Sequence, residues 1–248
     1  MLVRVPVLSH LEFDLIWEQL DLGERPYPIT VGSFGETFDE RAELRERALA
    51  ALDDRVEDLL TMLVRNHFTI DGLLAVEGRE LRVLAAGRGD YGLLAVQTSD
   101  ELRLEPVRAG GVIGSVVALL PEQKPGPGTA VTLPDTVFGV AAEAYESGGY
   151  LAFERALTQG GVTGRDLRIP VTLVESGRHG GGQLAANSVD RLGRRTRSEV
   201  LNWFDTDAGR YLVHTERRRD GERWLTFSPG DPARIERRLS QLVEGVAR

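Results

Sequence analysis

A run of three strands that leads into a helix occurs twice in this chain, and this repetition constrains the fold more than any other feature. The C-terminal copy predicts strands at residues 196–205, 210–217 and 222–227, and then a helix with Pro232 in its first turn. The earlier copy predicts strands at 80–86, 92–98 and 101–107, and then an apolar helix at 110–120. Tyr91 corresponds to Tyr211, and Asp100 corresponds to Asp220. Two related halves, each an antiparallel sheet with its own helix, follow from this spacing.

Other elements are predicted around the two copies. Val3, Val5 and Val7 alternate as in a strand, and Ser9 with Glu12 forms a capping-box pattern that opens a helix. Thr37 with Glu40 forms a second such pattern, which opens one long helix to about Arg65 with Leu52 on its apolar face. The remaining predictions are strands at 68–76 and 183–190, helices at 135–147, 150–159 and 163–175, and a loop at 177–182.

The predicted boundary between the halves lies in a segment rich in proline and glycine. Residues 122–129 contain Pro125 and Pro127 with neighbouring glycines, a composition typical of a linker. We therefore predict one domain made of two halves, at residues 1–121 and 130–248. The predicted fold class is α+β, with quasi-twofold duplicated antiparallel sheet-plus-helix halves flanked by helical bundles.

Composition excludes several classes of protein. The chain has 248 residues and no cysteine, which excludes disulfides and thiolate metal sites. No window approaches the ~18 to 20 apolar residues of a membrane span, and residues 1–9 lack the regions of a signal peptide. We therefore expect a cytoplasmic location without membrane insertion.

The net charge of -8 is concentrated near the N-terminus. Residues 1–64 contain six arginines against fourteen acidic residues, and the rest of the chain is balanced. Because an acidic protein repels a phosphate backbone, this balance argues against nucleic acid as the main partner.

Two short motifs are similar to enzyme signatures but have simpler explanations. Residues 87–92 match the G-x-G-x-x-G pattern of dinucleotide sites, but a predicted strand follows where such a site needs a helix, so we predict a hairpin turn. The sequence His179-Gly180-Gly181-Gly182 is similar to an esterase oxyanion loop, but the chain has no G-x-S-x-G motif. The four histidines also lack metal-ligand spacing. We therefore predict no catalytic residues, cofactor or metal site at these motifs.

Arginine clusters leave other hypotheses open. One cluster is Arg191, Arg194, Arg195 and Arg197, and a second occupies residues 217–219. Guanidinium groups bind phosphates, so an arginine-rich nucleic-acid- or nucleotide-binding module is the competing hypothesis. A small hydrolase centred on His179 is the third.

One segment, Asp205-Thr206-Asp207-Ala208-Gly209-Arg210-Tyr211, carries the most specific resemblance to a known protein family. Five other segments add weaker similarity to the same family: 26–29, 125–134, 182–184, 195–197 and 224–229. On these residues the chain resembles, over nearly its full length, the EspG family, the cytosolic chaperones of type VII (ESX) secretion in actinobacteria. The resemblance implies the same quasi-twofold architecture and a binding protein rather than an enzyme.

The resemblance also implies a partner. Family members bind the helical tip of a PPE-type subunit in a secreted PE–PPE heterodimer, prevent its aggregation and deliver it to the secretion system. One face of the second sheet must stay open after the helices pack, and there we predict the partner-binding residues Arg197, Asn202, Trp203 and Phe204. Because neighbours on a strand point to opposite faces, Trp203 or Phe204 must belong to the core. A homodimer is left open for the cargo-free protein, since an exposed cargo face can itself associate.

Overall fold

The structure is a computed structural model that describes residues 5–50, 53–190 and 192–247. Eleven strands within these residues form one antiparallel sheet. They are β1 (Val7–Ser9), β2 (Phe68–Val76), β3 (Arg79–Arg88), β4 (Tyr91–Gln97), β5 (Glu101–Arg108), β6 (Val131–Pro134), β7 (Arg178–Val189), β8 (Arg195–Arg197), β9 (Leu201–Thr206), β10 (Gly209–Arg217) and β11 (Arg223–Pro229).

The order of the strands is symmetric about the β2–β7 pair. On one side β3, β4, β5 and β1 follow outward, and on the other side β9, β10, β11 and β6 follow, with β8 attached to β7. Antiparallel pairing from Phe68↔Ser188 to Ala75↔Gly181 joins the two sides. This order confirms the predicted duplication. The division at residues 122–129 into two halves remains a prediction, because both sides share one sheet.

The described helices cover the sheet in three groups. They are α1 (His10–Gln19), α2 (Phe38–Ala50), α3 (Asp54–Val64), α4 (Val112–Val117), α5 (Asp135–Gln159), α6 (Arg168–Glu175) and α7 (Pro232–Val246). Helices α4 and α7 share a core with the middle strands on one face. On the opposite face, α1–α3 pack against the β3–β5 side and α5–α6 against the β10–β11 side. In that arrangement Leu212 lies under α7, whereas its neighbours Tyr211 and Val213 contact the α5–α6 group, since strand side chains alternate.

Near the N-terminus, the predicted long helix from Thr37 to Arg65 is wrong. Helix α2 ends at Ala50, and α3 begins at Asp54 after its cap Asp53, whose side chain accepts a hydrogen bond of 3.0 Å from the backbone N–H of Arg55. A short acceptor side chain offers the backbone an alternative to the helical hydrogen bond, which favours a new start here. The predicted capping box at Ser9 is confirmed. The first strand begins only at Val7, while Val3 and Leu52 lie outside the described residues.

In the C-terminal part, the predicted loop at 177–182 is also wrong. Strand β7 already begins at Arg178, and its glycines pair with β2 and β9. A side chain at Gly182 would place its Cβ 2.7 Å from the carbonyl oxygen of Leu73 and 2.9 Å from Nε1 of Trp203. Glycine is therefore required by the packing of a strand, although glycine runs favour loops in an isolated sequence.

Three smaller differences concern element boundaries. The predicted strand 196–205 is divided into β8 and β9, and strand β6 was not predicted. The predicted helix 163–175 is a 3-10 turn followed by α6. As predicted, the helical stretch after Pro134 is broken between 147 and 150: Gly149 within α5 has a φ of 66°.

The signature segment forms the tight β9–β10 hairpin and contains a buried ion pair. Arg210 Nε donates to Asp205 Oδ1 at 2.6 Å, and Arg210 Nη2 donates to Asp205 Oδ2 at 2.8 Å and to the carbonyl oxygen of Pro121 at 2.8 Å. The buried Asp205 carboxylate is thus paired with an arginine side chain of the same hairpin. The backbone N–H of Arg210 donates to the carbonyl oxygen of Lys124 at 2.7 Å, so the predicted linker is fastened to the hairpin.

Replacing Arg210 by methionine tests this anchor. Arg210→Met leaves the Asp205 carboxylate buried without a cation, so we expect the free energy of unfolding to fall by about 3 to 5 kcal/mol. Urea unfolding followed by circular dichroism measures it. The control is Arg194→Met, which breaks the exposed pair with Asp190 and should cost less than about 1 kcal/mol. Equal losses in the two variants would contradict the role assigned to Arg210.

Candidate partner-binding groove

The two helix groups on one face leave an open groove over the middle of the sheet, which we call the central groove. Its floor is formed by paired positions of three strands, because Leu73 pairs with Gln183 and Gln183 with Asn202. In the next row the paired residues are Ala75, Gly181 and Phe204. Residues paired in register share a face, so all six belong to one surface. The groove has a volume of about 660 Å³.

The floor offers small or half-buried apolar groups. Ala75 is exposed, Gly181 contributes no side chain, and Phe204 is half-buried against the α5–α6 group. Leu73 is half-buried as well. A concave, uncovered and largely apolar surface is a site for a partner rather than a part of the core.

An ion pair lies on the same face, beyond one end of the groove. Asp71, buried on β2 two residues before Leu73, accepts from Arg197 Nη2 at 2.9 Å and from Asn187 Nδ2 at 2.6 Å. The hydrogen bond to Asp71 raises the pKa of Arg197 above its ordinary value, against the opposing effect of burial. The Arg197 guanidinium also lies 5.7 Å from the ring centre of Tyr27, which belongs to the loop after α1.

Two further arginines stand at the sides of the groove. Arg82 on β3 donates from Nη1 to the carbonyl oxygen of Pro28 at 3.3 Å. Arg178 at the start of β7 donates from Nε to the carbonyl oxygen of Leu173 at 3.3 Å, and its guanidinium lies 4.8 Å from the ring centre of Phe204. These contacts hold both guanidinium groups in place beside the floor.

The structure brings together three of the four predicted partner-binding residues. Arg197, Asn202 and Phe204 lie on the face of the central groove, and their role in binding remains a prediction. Trp203 does not belong with them: it is fully buried on the opposite face, in the core formed with α4 and α7. The alternation of strand side chains required one of Trp203 and Phe204 to be core, and the packing of α7 selects Trp203.

Sequence reasoning missed the groove residues outside the C-terminal run of three strands. Leu73, Ala75, Arg82 and Arg178 were not singled out, because their approach to Asn202 depends on the pairing of β2 with β7. The run of glycines before residue 183 was the available signal, since a glycine inside a strand marks a close approach or an uncovered surface.

The other motifs do not form sites. Residues 87–92 turn from β3 into β4, as predicted, with Arg88 paired to Tyr91. His179 lies in strand β7 rather than in a loop. Within the described parts of the chain, no three acidic or histidine side chains come together as metal ligands, and no helix is long and apolar enough to span a bilayer.

Three of the six described arginines in the two clusters are engaged within the protein. Arg194 pairs with Asp190, Arg197 with Asp71, and Arg218 stacks on the ring of Trp224 at 3.4 Å. Arg191 lies outside the described residues. This arrangement does not add support to the nucleic-acid hypothesis.

A family model described as the EspG family matches residues 9–241, nearly the whole chain. The chain belongs to the EspG family. This match confirms the resemblance that rested on the segment from Asp205 to Tyr211. Comparison with curated protein sequences gives no match.

The EspG fold is also found in a solved structure. A chain in the structure of the Mycobacterium tuberculosis type VII secretion system chaperone EspG5, in complex with a PE25–PPE41 dimer, superposes with a TM-score of 0.74 at 17% sequence identity. The match covers 97% of this chain and 96% of that chain. At this identity the likeness establishes a shared fold.

A substitution at Arg197 tests whether its pair with Asp71 stabilises the fold beyond the end of the groove. In Arg197→Met the buried Asp71 keeps only the Asn187 amide, so the free energy of unfolding should fall by about 1 to 2 kcal/mol, a value reduced because Arg197 is half-exposed. Chemical denaturation measures the loss. Arg195→Met in the same strand is the matched control and should be nearly neutral, because Arg195 is exposed. Equal stability of the two variants would show that the pair contributes nothing.

Proposed function

We propose that this EspG protein is a chaperone that binds the tip of a PPE-type subunit in a secreted PE–PPE heterodimer, through the central groove. It keeps the tip from aggregating and delivers the pair to the type VII secretion system. The observation that carries the proposal is an uncovered groove with a largely apolar floor, at the centre of a sheet with the fold of a chaperone solved together with a PE25–PPE41 dimer.

The physical basis is the burial of apolar surface. A helix tip that exposes apolar side chains associates with other tips, because removing that surface from water is favourable. Leu73, Ala75 and Phe204 offer an alternative surface for it. An aromatic ring on a rigid strand is a suitable anchor, since it loses little freedom on binding.

EspG is a chaperone family, and we assign no catalytic step to the groove. We place binding in the cytoplasm, before export of the cargo. Of the residues predicted from the sequence, Arg197, Asn202 and Phe204 remain proposed contacts, and Trp203 is withdrawn because it is buried.

Co-purification tests the proposal directly. The tagged protein is co-expressed with the PE–PPE pair encoded in the same genome, and the eluate is analysed by size exclusion with light scattering. We expect one copy of each chain in a complex that survives high salt, because apolar burial is not screened by ions. Elution of the chaperone without the pair, alone or as a homodimer, would reject the proposal for that cargo.

Filling the groove is the sharper test. Ala75→Trp places a large ring on the floor at an exposed strand position, where aromatic residues are tolerated. We expect binding of the PE–PPE pair to weaken at least about tenfold, a loss of ~1.4 kcal/mol, measured by titration calorimetry.

The matched control makes the same change elsewhere. Ala118→Trp alters an exposed alanine at the end of α4, on the opposite face of the sheet, and should leave the affinity unchanged. Unaltered binding by Ala75→Trp, with a normal melting temperature, would place the cargo outside the central groove.

A further inference from the structure

Two arginines beside the central groove have no acidic partner. Arg82 and Arg178 make no contact within 4.0 Å of a carboxylate among the described side chains, whereas Arg197 beyond the end of the groove is paired with Asp71. Arg178 is exposed and Arg82 is half-buried. Both are already oriented by hydrogen bonds to backbone carbonyl oxygens, which hold the side chains without neutralising their charge.

The charge of the groove is opposite to that of the protein. The residues that line it include these two arginines and a single acid, Glu80, in a chain with a net charge of -8. The two arginines flank the floor from different sides, since Arg82 lies on β3 beyond Leu73 and Arg178 lies beside Phe204. A ligand on the floor would therefore meet a positive group on each side.

We infer that the cargo element in the groove is an apolar helix end that carries a carboxylate side chain facing Arg82 or Arg178. This inference rests on the proposed function and adds the chemistry of the partner. A guanidinium group binds a carboxylate through two parallel hydrogen bonds, which fixes orientation as well as adding attraction. The largely apolar floor supplies most of the affinity, and the arginines select the cargo and its orientation.

Charge reversal at the two positions tests the inference. The probe is the PE–PPE heterodimer encoded in the same genome, purified separately and titrated into each variant. We expect Arg178→Glu and Arg82→Glu each to weaken binding about tenfold, because the variant repels the carboxylate that the arginine attracts. Arg178→Lys should retain part of the affinity, since it keeps the charge but not the two-bond geometry.

Arg219→Glu is the control, because it makes the same change in charge at an exposed position in the β10–β11 turn. It should alter the affinity by less than about twofold. Each variant is first checked by thermal unfolding, and Arg178→Gln, which keeps a donor for the Leu173 carbonyl oxygen, replaces Arg178→Glu if the latter is unstable. Replacing the acidic residue of the cargo tip by arginine should restore binding to Arg178→Glu or Arg82→Glu.

The outcomes separate this inference from the proposed function. If the unaltered protein does not bind the pair, both are overturned. In a second outcome, the unaltered protein binds the pair and Ala75→Trp abolishes that binding. If the charge reversals at Arg82 and Arg178 then weaken binding no more than Arg219→Glu does, the groove binds the cargo, but the inferred carboxylate on the cargo is rejected. Weakening confined to the groove arginines, with recovery by the charge-swapped cargo, supports the inference.

Discussion

The antiparallel pairing of β2 with β7 is the constraint on which the rest of the structure depends. It joins the strands on its two sides into one sheet. The apolar core of each half is therefore continuous with that of the other. On one face α4 and α7 close over this junction with a shared apolar core. On the opposite face the other helices pack to either side and leave the junction uncovered. The central groove is therefore a consequence of how the two halves are joined.

Two buried carboxylates fix the positions of chain segments that apolar packing alone does not specify. Asp205 holds Arg210, and through it the chain from Pro121 to Lys124, against the β9–β10 hairpin. Asp71 holds Arg197 across the junction of the halves. A buried carboxylate without a cation is costly, so each pair favours one arrangement of distant segments over its alternatives. This explains why the signature segment is both a hairpin and an anchor for the connection between the halves.

The groove combines two properties that a chaperone for a helix tip requires under the proposed function. Its floor is largely apolar, through Leu73, Ala75 and Phe204, and lies on strands that keep a fixed shape because each is paired on both sides. Its sides carry oriented arginines, which can distinguish one apolar tip from another. Apolar burial adds affinity but does not fix the orientation of the partner. Charged groups fix that orientation at a small cost in affinity.

Local patterns in the sequence determined the strands, turns and helices that depend only on neighbouring residues. Alternation, turn residues and caps predicted the two runs of three strands, the strand at 68–76, the hairpin at 87–92 and the helix that begins with Pro232. The segment from Asp205 to Tyr211 indicated the family. Only the tertiary structure decided that the glycines before residue 183 form a strand, that Trp203 is core while Phe204 faces the groove, and that Arg82 and Arg178 stand beside it. These outcomes depend on which strands pair and which helix covers each face, and such contacts join residues more than a hundred positions apart.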